Sequence, residues 1–307
     1  MTAARHSRAE PNTVLRGDHG FLFFTDHQVV EQLDGAYPLT PDQLERWIAC
    51  IRQRYEWCMK NNAEMRFFII PEKHVVYSDY FPQFTISNNR PAMQILASLP
   101  EHIGKCVYYP LDDFVRARKN KDVFYRTDTH YTSETGFLTY QILMNSLSNL
   151  NLRRVNPEDT KLVHSYRIGD LGMRLEPQEG EDAVHVHHAS YHPCQRIYDN
   201  ELYKRGNCVI FTSPRTDAPK SLIFRDSFFT YIMPHIIPVC SRTVAISSID
   251  MHYDVAEAEK PDIVIFQAIE RFLANNAEDG QRIIPNDPID GFERFSGISA
   301  ADLANIV

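Results

Sequence analysis

Asp128 and His130 stand two residues apart in Phe124–Thr132, FYRTDTHYT, and Ser227 follows an apolar run in Ser221–Phe228, SLIFRDSF. A serine nucleophile needs a base, and the base needs an orienting partner. In an extended segment, residues two apart project to the same side. Asp128 is then placed to hold one imidazole nitrogen of His130, which leaves the other nitrogen free as a base. Thr132 suits the N-cap of a following helix, whose positive end near His130 would disfavour imidazolium and keep the ring neutral. Ser227 sits just past the carboxyl end of an apolar strand, where reactive groups of α/β sheets gather. Its own backbone N–H is an oxyanion-donor candidate. Each segment by itself equally suits a helix cap or a core position; together they supply a complete Ser–His–Asp acyl-transfer set. GxSxG is absent, and with it the nucleophile elbow of the α/β-hydrolases.

The elements that must position these residues alternate. Thr40-Pro41-Asp42-Gln43 reads as a cap, a first-turn proline and a capping-box glutamine, opening a helix over 41–61. Leu44, Trp47, Ile48, Ile51, Tyr55 and Met59 recur along it at helical spacing. Met65–Ile70 is a continuous apolar run ending at Pro71, the signature of a buried parallel strand. Lys105–Leu111, Ser221–Phe224, Thr243–Ile249 and Asp262–Ile269 are further strand candidates, and Thr132–Leu150 is a second helix. Strands alternating with helices predict an α/β fold with a parallel sheet covered on both faces. Residues 165–215 break the alternation and read as an irregular, β-rich insertion. Residues 1–16 are polar and read as a flexible N-terminus, so that 17–307 form one domain carrying the insertion.

The bulk composition narrows the function class. The 307 residues are 43% hydrophobic and 11% aromatic, enough for a sizeable core, with a formal net charge of −8. The one basic stretch, Arg116–Lys121 (RARKNK), reads as a solvated loop, so nucleic acid is not an expected partner. No stretch approaches the ~20 apolar residues of a transmembrane helix. The opening MTAARHSRAEPNT lacks the apolar region of a secretory signal, which points to the cytoplasm. Six cysteines without a CxxC pair read as reduced thiols.

Other residues are candidates for the surroundings of the site. Lys73 and Tyr77 follow a predicted strand and either line the cleft or are a surface lysine and a packed tyrosine. The Gly169-Asp170-Leu171-Gly172 turn offers the Gly172 N–H as an oxyanion donor, or is an ordinary turn. Glu270 and Arg271 end the last strand and either pair with each other or bind substrate. His185, His187, His188, His192 and Cys194 invite a zinc reading, since 185 and 187 alternate on a strand. Their spacing matches no standard zinc motif, and the expectation is no metal and no cofactor.

Four blocks, in order, resemble the alginate O-acetyltransferases of the AlgX/AlgJ type. GDHGFLFF (Gly17–Phe24) is similar to that family's G-x-x-G-W-L-F block, and PEKHVVY (Pro71–Tyr77) to its Pro-x-Lys block with a following tyrosine. TDTHYT (Thr127–Thr132) is similar to its D-T-H-W signature, and RDSF (Arg225–Phe228) to its G-D-S-F block. The resemblance implies a three-layer α/β/α, SGNH-hydrolase-like fold: a flavodoxin-like parallel sheet with a permuted triad order, Asp and His preceding Ser. It implies Ser227, His130 and Asp128 as the triad, and acetyl transfer to hydroxyls of a polysaccharide or oligosaccharide. The acetyl donor in that family is typically delivered by a membrane O-acyltransferase, and the work is done in the periplasm. Two positions depart from the pattern. Arg225 replaces the glycine before Asp-Ser, adding bulk or a substrate-binding cation, and Tyr131 replaces tryptophan. The alternatives to acetyl transfer are a carbohydrate acetylesterase, a carbohydrate-binding scaffold with a degenerate site, and a metal-dependent hydrolase built on the histidines.

Overall fold

The computed structural model describes residues 13–81, 85–147, 150, 152–191, 193–202, 205–275 and 278–280. Eleven strands occur among them: β1 (Val14–Arg16), β2 (Leu22–Phe24), β3 (Glu64–Ile70), β4 (Val107–Tyr108), β5 (Thr160–Ile168), β6 (Gly180–His188), β7 (Gln195–Asp199), β8 (Cys208–Thr212), β9 (Lys220–Phe224), β10 (Arg242–Ile246) and β11 (Ile263–Ile269). Seven form the central sheet, in the order β4-β3-β11-β9-β10-β8-β7. The five from β4 to β10 are parallel, and β8 and β7 continue the sheet antiparallel. The first two strands pair as a small hairpin, and β5 with β6 as another.

Alternation along the central strands sends side chains to two separate cores. Phe68, Ile223 and Ile265 pack on one face with Tyr140, Leu143 and Met144 of the helix Ser133–Ser146. Phe67, Leu222 and Phe266 pack on the other with Trp47, Ile51 and Cys58 of the helix Pro41–Lys60. A sheet buried on both faces requires the near-continuous apolar strands seen in the sequence. Each such large side chain contributes about 1.5–3 kcal/mol of burial.

The capping box that opens the first long helix forms as expected. The Gln43 N–H donates to Thr40 Oγ1 (3.3 Å), and the Thr40 N–H donates to Gln43 Oε1 (2.9 Å). The expected apolar stripe is broken at two places: Met59 is exposed, and Arg54 is fully buried. Arg54 is tolerated there because its guanidinium donates to both oxygens of Asp279 (2.6 and 2.8 Å) and lies 4.4 Å from the Phe266 ring centroid. Satisfied partners of this kind are what allow a charge into an interior.

Several boundaries differ from the sequence reading. The candidate strand over 105–111 shrinks to two residues, because the helix Leu111–Ala117 follows almost at once. The helix expected to 150 ends at Ser146, and 148–149 lie outside the described residues. The stretch 165–215 is not uniformly irregular: β7 and β8 belong to the central sheet, and only β5–β6 stands apart. Most of the expected flexible N-terminus (1–12) and the C-terminal part of 17–307 (281–307) lie outside the described residues. Among those described, no helix is long and apolar enough to cross a membrane.

One buried group gives the fold an acid sensitivity. His235 is fully buried against Phe137, Tyr140 and His188, and neither ring nitrogen has a hydrogen-bond partner among the described residues. Burial, helped by His188 and His187, holds its pKa down to about 3. The unfolded chain takes up this proton near pH 6.5 and the folded one does not. The stability is complete above pH ~6.5 and falls as pH drops from there toward 3, by about 1.4 kcal/mol per unit. Urea melts at pH 7 and pH 5 will show His235→Phe losing about 2 kcal/mol less than the wild type over that interval. An unchanged difference would mean that His235 is protonated in the folded state.

Candidate active site

Ser227 lies exposed just beyond β9, the middle strand of the seven, at the start of a 3-10 turn Ser227–Tyr231 whose Phe228 and Phe229 are buried, rather than at the head of a long helix. Asp226 builds that turn. Its buried carboxylate accepts from the Phe228 N–H (2.9 Å) and from the Ile269 N–H at the end of β11 (2.6 Å). Burial raises the Asp226 pKa, against these donors, which favour the carboxylate. Asp226 is thus both the N-cap of the turn and the clamp that fixes the serine to the neighbouring strand.

His130 and Asp128 come from a tight turn rather than an extended segment. Phe124 and Tyr131 bridge antiparallel, and the chain between them doubles back. Asp128 Oδ1 accepts from the His130 backbone N–H (2.9 Å), an Asx-type turn, and also from His130 Nδ1 (2.7 Å). On the far side of the ring, His130 Nε2 lies 2.7 Å from Ser227 Oγ. The three residues therefore form one continuous chain of hydrogen bonds across 97 residues of sequence. Burial acts to raise the Asp128 pKa, but the hydrogen bonds and charge of His130 and the charge of Arg167 outweigh it and leave the carboxyl well below its usual range. An ionised Asp128 has no proton to give, so Nδ1 must donate to it. In the neutral ring, Nε2 is then the acceptor for the serine hydroxyl. Phe228 packs against the imidazole at 4.6 Å between centroids. The expected N-cap forms, with Thr132 Oγ1 accepting from the Thr135 N–H (3.2 Å).

Lys73 and Tyr77 do not line the cleft. Both are almost wholly buried. Lys73 Nζ donates to four backbone carbonyls, those of Leu22 (2.7 Å), Tyr125 (2.7 Å), Arg126 (3.0 Å) and Asp128 (3.0 Å). It ties strand β2 to the turn that carries Asp128 and His130. Burial brings its pKa down to about 7, against Glu181, Asp128, Asp170 and Asp122, which pull it up. Tyr77 accepts through its hydroxyl from the Val123 N–H (2.7 Å) just upstream of the same turn.

Gly172 is also placed elsewhere than expected. Its N–H and that of Leu171 both donate to the Thr127 carbonyl (2.8 and 3.1 Å), so Gly172 is not an oxyanion donor. Its turn packs behind the one that carries Asp128 and His130. Asp170 accepts from the Thr129 N–H and hydroxyl, and a Cβ at Gly169 would lie 2.6 Å from the Asp128 Cβ, a clash only glycine avoids. The Ser227 N–H opens its 3-10 turn, where no intrahelical acceptor exists for it.

Glu270 and Arg271 turn to opposite partners instead of pairing. Arg90 and Tyr109 bind Glu270 (2.6 and 2.8 Å), while Arg271 donates to both oxygens of Glu72 (2.8 and 2.9 Å) and lies 5.7 Å from the Phe228 ring centroid. The Arg271 side chain is only 10% exposed, and with its charge matched it supports the site rather than presenting a free cation to substrate. Arg225, next to the clamp residue, contacts the Asp226 carbonyl and Asn207 only at 3.3 and 3.4 Å, and forms no ion pair among the described residues.

Among the described residues, the histidines of this stretch do not gather into a metal-ligand cluster. His185 Nε2 meets Ser165 Oγ (2.9 Å), and His188 Nε2 donates to the Pro234 carbonyl (2.7 Å). Cys194 contacts Ser190 instead, and His192 lies outside the described residues. Among the described residues, only Asp128, His130 and Asp170 bring potential ligand atoms within 4.8 Å of one another. Those carboxylates are already engaged by His130, Arg167 and Thr129.

A mostly parallel α/β sheet with Asp, His and Ser in hydrogen-bond sequence at its carboxyl rim is the class of architecture this chain adopts. Solved structures share the fold. PatB1 of Bacillus cereus superposes with a TM-score of 0.66 over 86% of this chain and 97% of that one, at 15% identity. The O-acetyltransferase domain of Pseudomonas putida AlgJ does so with a TM-score of 0.56 over 92% and 99%, at 14% identity. A DHHW family protein from Eubacterium siraeum gives 0.60 over 87% and 94%, at 11% identity. The resemblance to the AlgJ type therefore holds at the level of fold. No protein-family model matches the sequence, and neither does any of the curated proteins compared with it.

Proposed function

We propose that this protein is an SGNH-type O-acetyltransferase that moves acetyl groups to polysaccharide hydroxyls through an acetyl-enzyme on Ser227. The observation that carries the reading is the unbroken contact from Ser227 Oγ through His130 to Asp128, each step 2.7 Å, with the serine exposed at the sheet rim. In the first half-reaction His130 Nε2 takes the serine proton as Oγ attacks the acetyl carbonyl. The imidazolium, held by Asp128, then returns that proton to the departing alcohol. The Ser227 N–H is the oxyanion donor the local backbone offers. In the second half-reaction His130 deprotonates an acceptor hydroxyl as it attacks the acetyl carbonyl, and the imidazolium returns that proton to Ser227 Oγ as the acyl bond to serine breaks. Water in place of the sugar makes the same site an acetylesterase; cleft shape and water exclusion decide between them.

The sharing of a fold with an O-acetyltransferase domain supports the transfer reading. A sulfonyl fluoride tests the chemistry directly, because it captures an activated serine. Intact-mass and peptide analysis will find one adduct, on Ser227, and none in Ser227→Ala. Failure of the wild type to label, while folded, would refute the activated serine. Adding an oligosaccharide acceptor to p-nitrophenyl acetate turnover will then partition acetate from acetylated sugar.

A further inference from the structure

We infer that Arg167, carried by the β5–β6 hairpin outside the central sheet, is a positioning residue that locks the plane of the Asp128 carboxylate and biases His130 toward its neutral, proton-accepting form. This rests on the Ser–His–Asp reading above. Arg167 Nη2 donates to Asp128 Oδ2 at 2.5 Å, the oxygen His130 does not use. The other terminal nitrogen, Nη1, donates to the Tyr231 hydroxyl (3.0 Å), and the guanidinium lies 4.1 Å from the centroid of the Tyr125 ring. Three fixed contacts on a planar group leave it little freedom. Asp128 Oδ2 also accepts from the Asp170 N–H at 3.3 Å. With that oxygen pinned, the carboxylate cannot rotate Oδ1 away from Nδ1.

The charge has a second consequence. A carboxylate alone behind an imidazole favours imidazolium. A guanidinium on the same carboxylate offsets that pull. The other charged or titratable groups facing this cluster are Asp170, whose carboxylate comes within 4.8 Å of the imidazole and Asp128 ligand atoms, and Tyr231, 6.0 Å from the imidazole centroid. Lys73 sits behind the turn on the Asp128 carbonyl. Glu181 of β6 pairs across the hairpin from Arg167, and His185 of the same strand lies close enough that, after burial, the charge of Arg167 helps lower its pKa. None of their charged or titratable side-chain groups bonds Asp128 Oδ2, which besides Arg167 meets only the Asp170 backbone N–H among the described residues, so the sharpest effect on the imidazole belongs to Arg167.

Two variants separate geometry from charge. Arg167→Met removes both: the plateau of kcat/KM for p-nitrophenyl acetate falls about 10–100-fold, and the acid limb of the pH–rate profile moves up by about one unit. Arg167→Lys keeps the charge without the planar fork: its plateau falls while its acid limb stays near that of the wild type. A merely structural arginine would lower both plateaus and move neither limb, and that result would overturn the inference. NMR titration of the His130 ring in the wild type and in Arg167→Met reads the same charge coupling without any turnover. A displaced titration in a protein whose serine does not label would uphold the coupling and refute acyl transfer. An undisplaced titration would refute the coupling even in an active enzyme. Far-UV circular dichroism and thermal melts confirm that each variant is folded.

Discussion

Ser227→Ala and His130→Ala will each lower p-nitrophenyl acetate turnover by about 10⁴-fold or more, and the double variant will fall no further. The hydroxyl and the imidazole share one proton, so removing either disables the same step. The rate left over is what substrate binding and the oxyanion donor supply, and it is common to all three variants. Asp128→Asn should approach the same floor by another route. Its carboxamide can present an N–H to Nδ1, which turns the Nε2 proton toward the serine and away from the role of base. These comparisons require matched folded fractions, measured by circular dichroism. Additive losses, or a His130→Ala variant as fast as the wild type, would show that the imidazole does not serve the serine. The wild-type arrangement should also persist into mildly acidic solution. The Asp128 pKa is depressed in the folded state, so its contribution to stability is complete above the unfolded aspartate value near 4. It disappears only as pH falls below that value toward the depressed folded pKa.

Lys73→Met will destabilise the fold by about 3–5 kcal/mol and lower the rate of Ser227 labelling by about 100-fold. The methionine approximates the apolar volume but donates nothing. The carbonyls of Leu22, Tyr125, Arg126 and Asp128 then lose the ammonium that four of them share. Leaving buried acceptors unsatisfied costs about 1–3 kcal/mol each before relaxation, and the turn will move to recover some of it. That movement displaces Asp128 and His130 together, which is why labelling suffers along with stability. The melting temperature should fall by about 10 °C. Lys73→Arg is not expected to rescue, because a longer, planar guanidinium does not reproduce the compact ammonium on which four carbonyls converge beside Phe21 and Phe23 (5.2 and 5.5 Å). A Lys73→Met protein as stable and as quickly labelled as the wild type would show that the turn is held by other means.

The three residues of the candidate site were legible because short-range chemistry marks them. Ser227 follows an apolar strand end, and Asp128-Thr129-His130 precedes a good N-cap; both signals lie within a few residues of sequence. The central strands were legible for the same reason, since a sheet buried on both faces demands apolar runs that few other structures require. Residues whose meaning depends on distant partners were not. Lys73 looked like a cleft lysine because nothing nearby in sequence shows four carbonyls from β2 and the 125–128 turn converging on its tip. Arg271 looked like the partner of Glu270, yet neighbouring side chains at the end of a strand diverge, and each found its counter-charge elsewhere. Arg167 carried no signal at all, lying on an exposed strand of a hairpin whose course the sequence left open.

The amino-acid sequence by itself thus determined which groups are candidates for the reactive chemistry and which strands carry them, because periodicity, caps and local turns are written within a few residues. Only the tertiary structure decided that a serine and an imidazole 97 positions apart meet at 2.7 Å, and which cations brace them. Contacts between remote segments are fixed by how the sheet, the turn and the hairpin pack against each other. No local pattern encodes that packing.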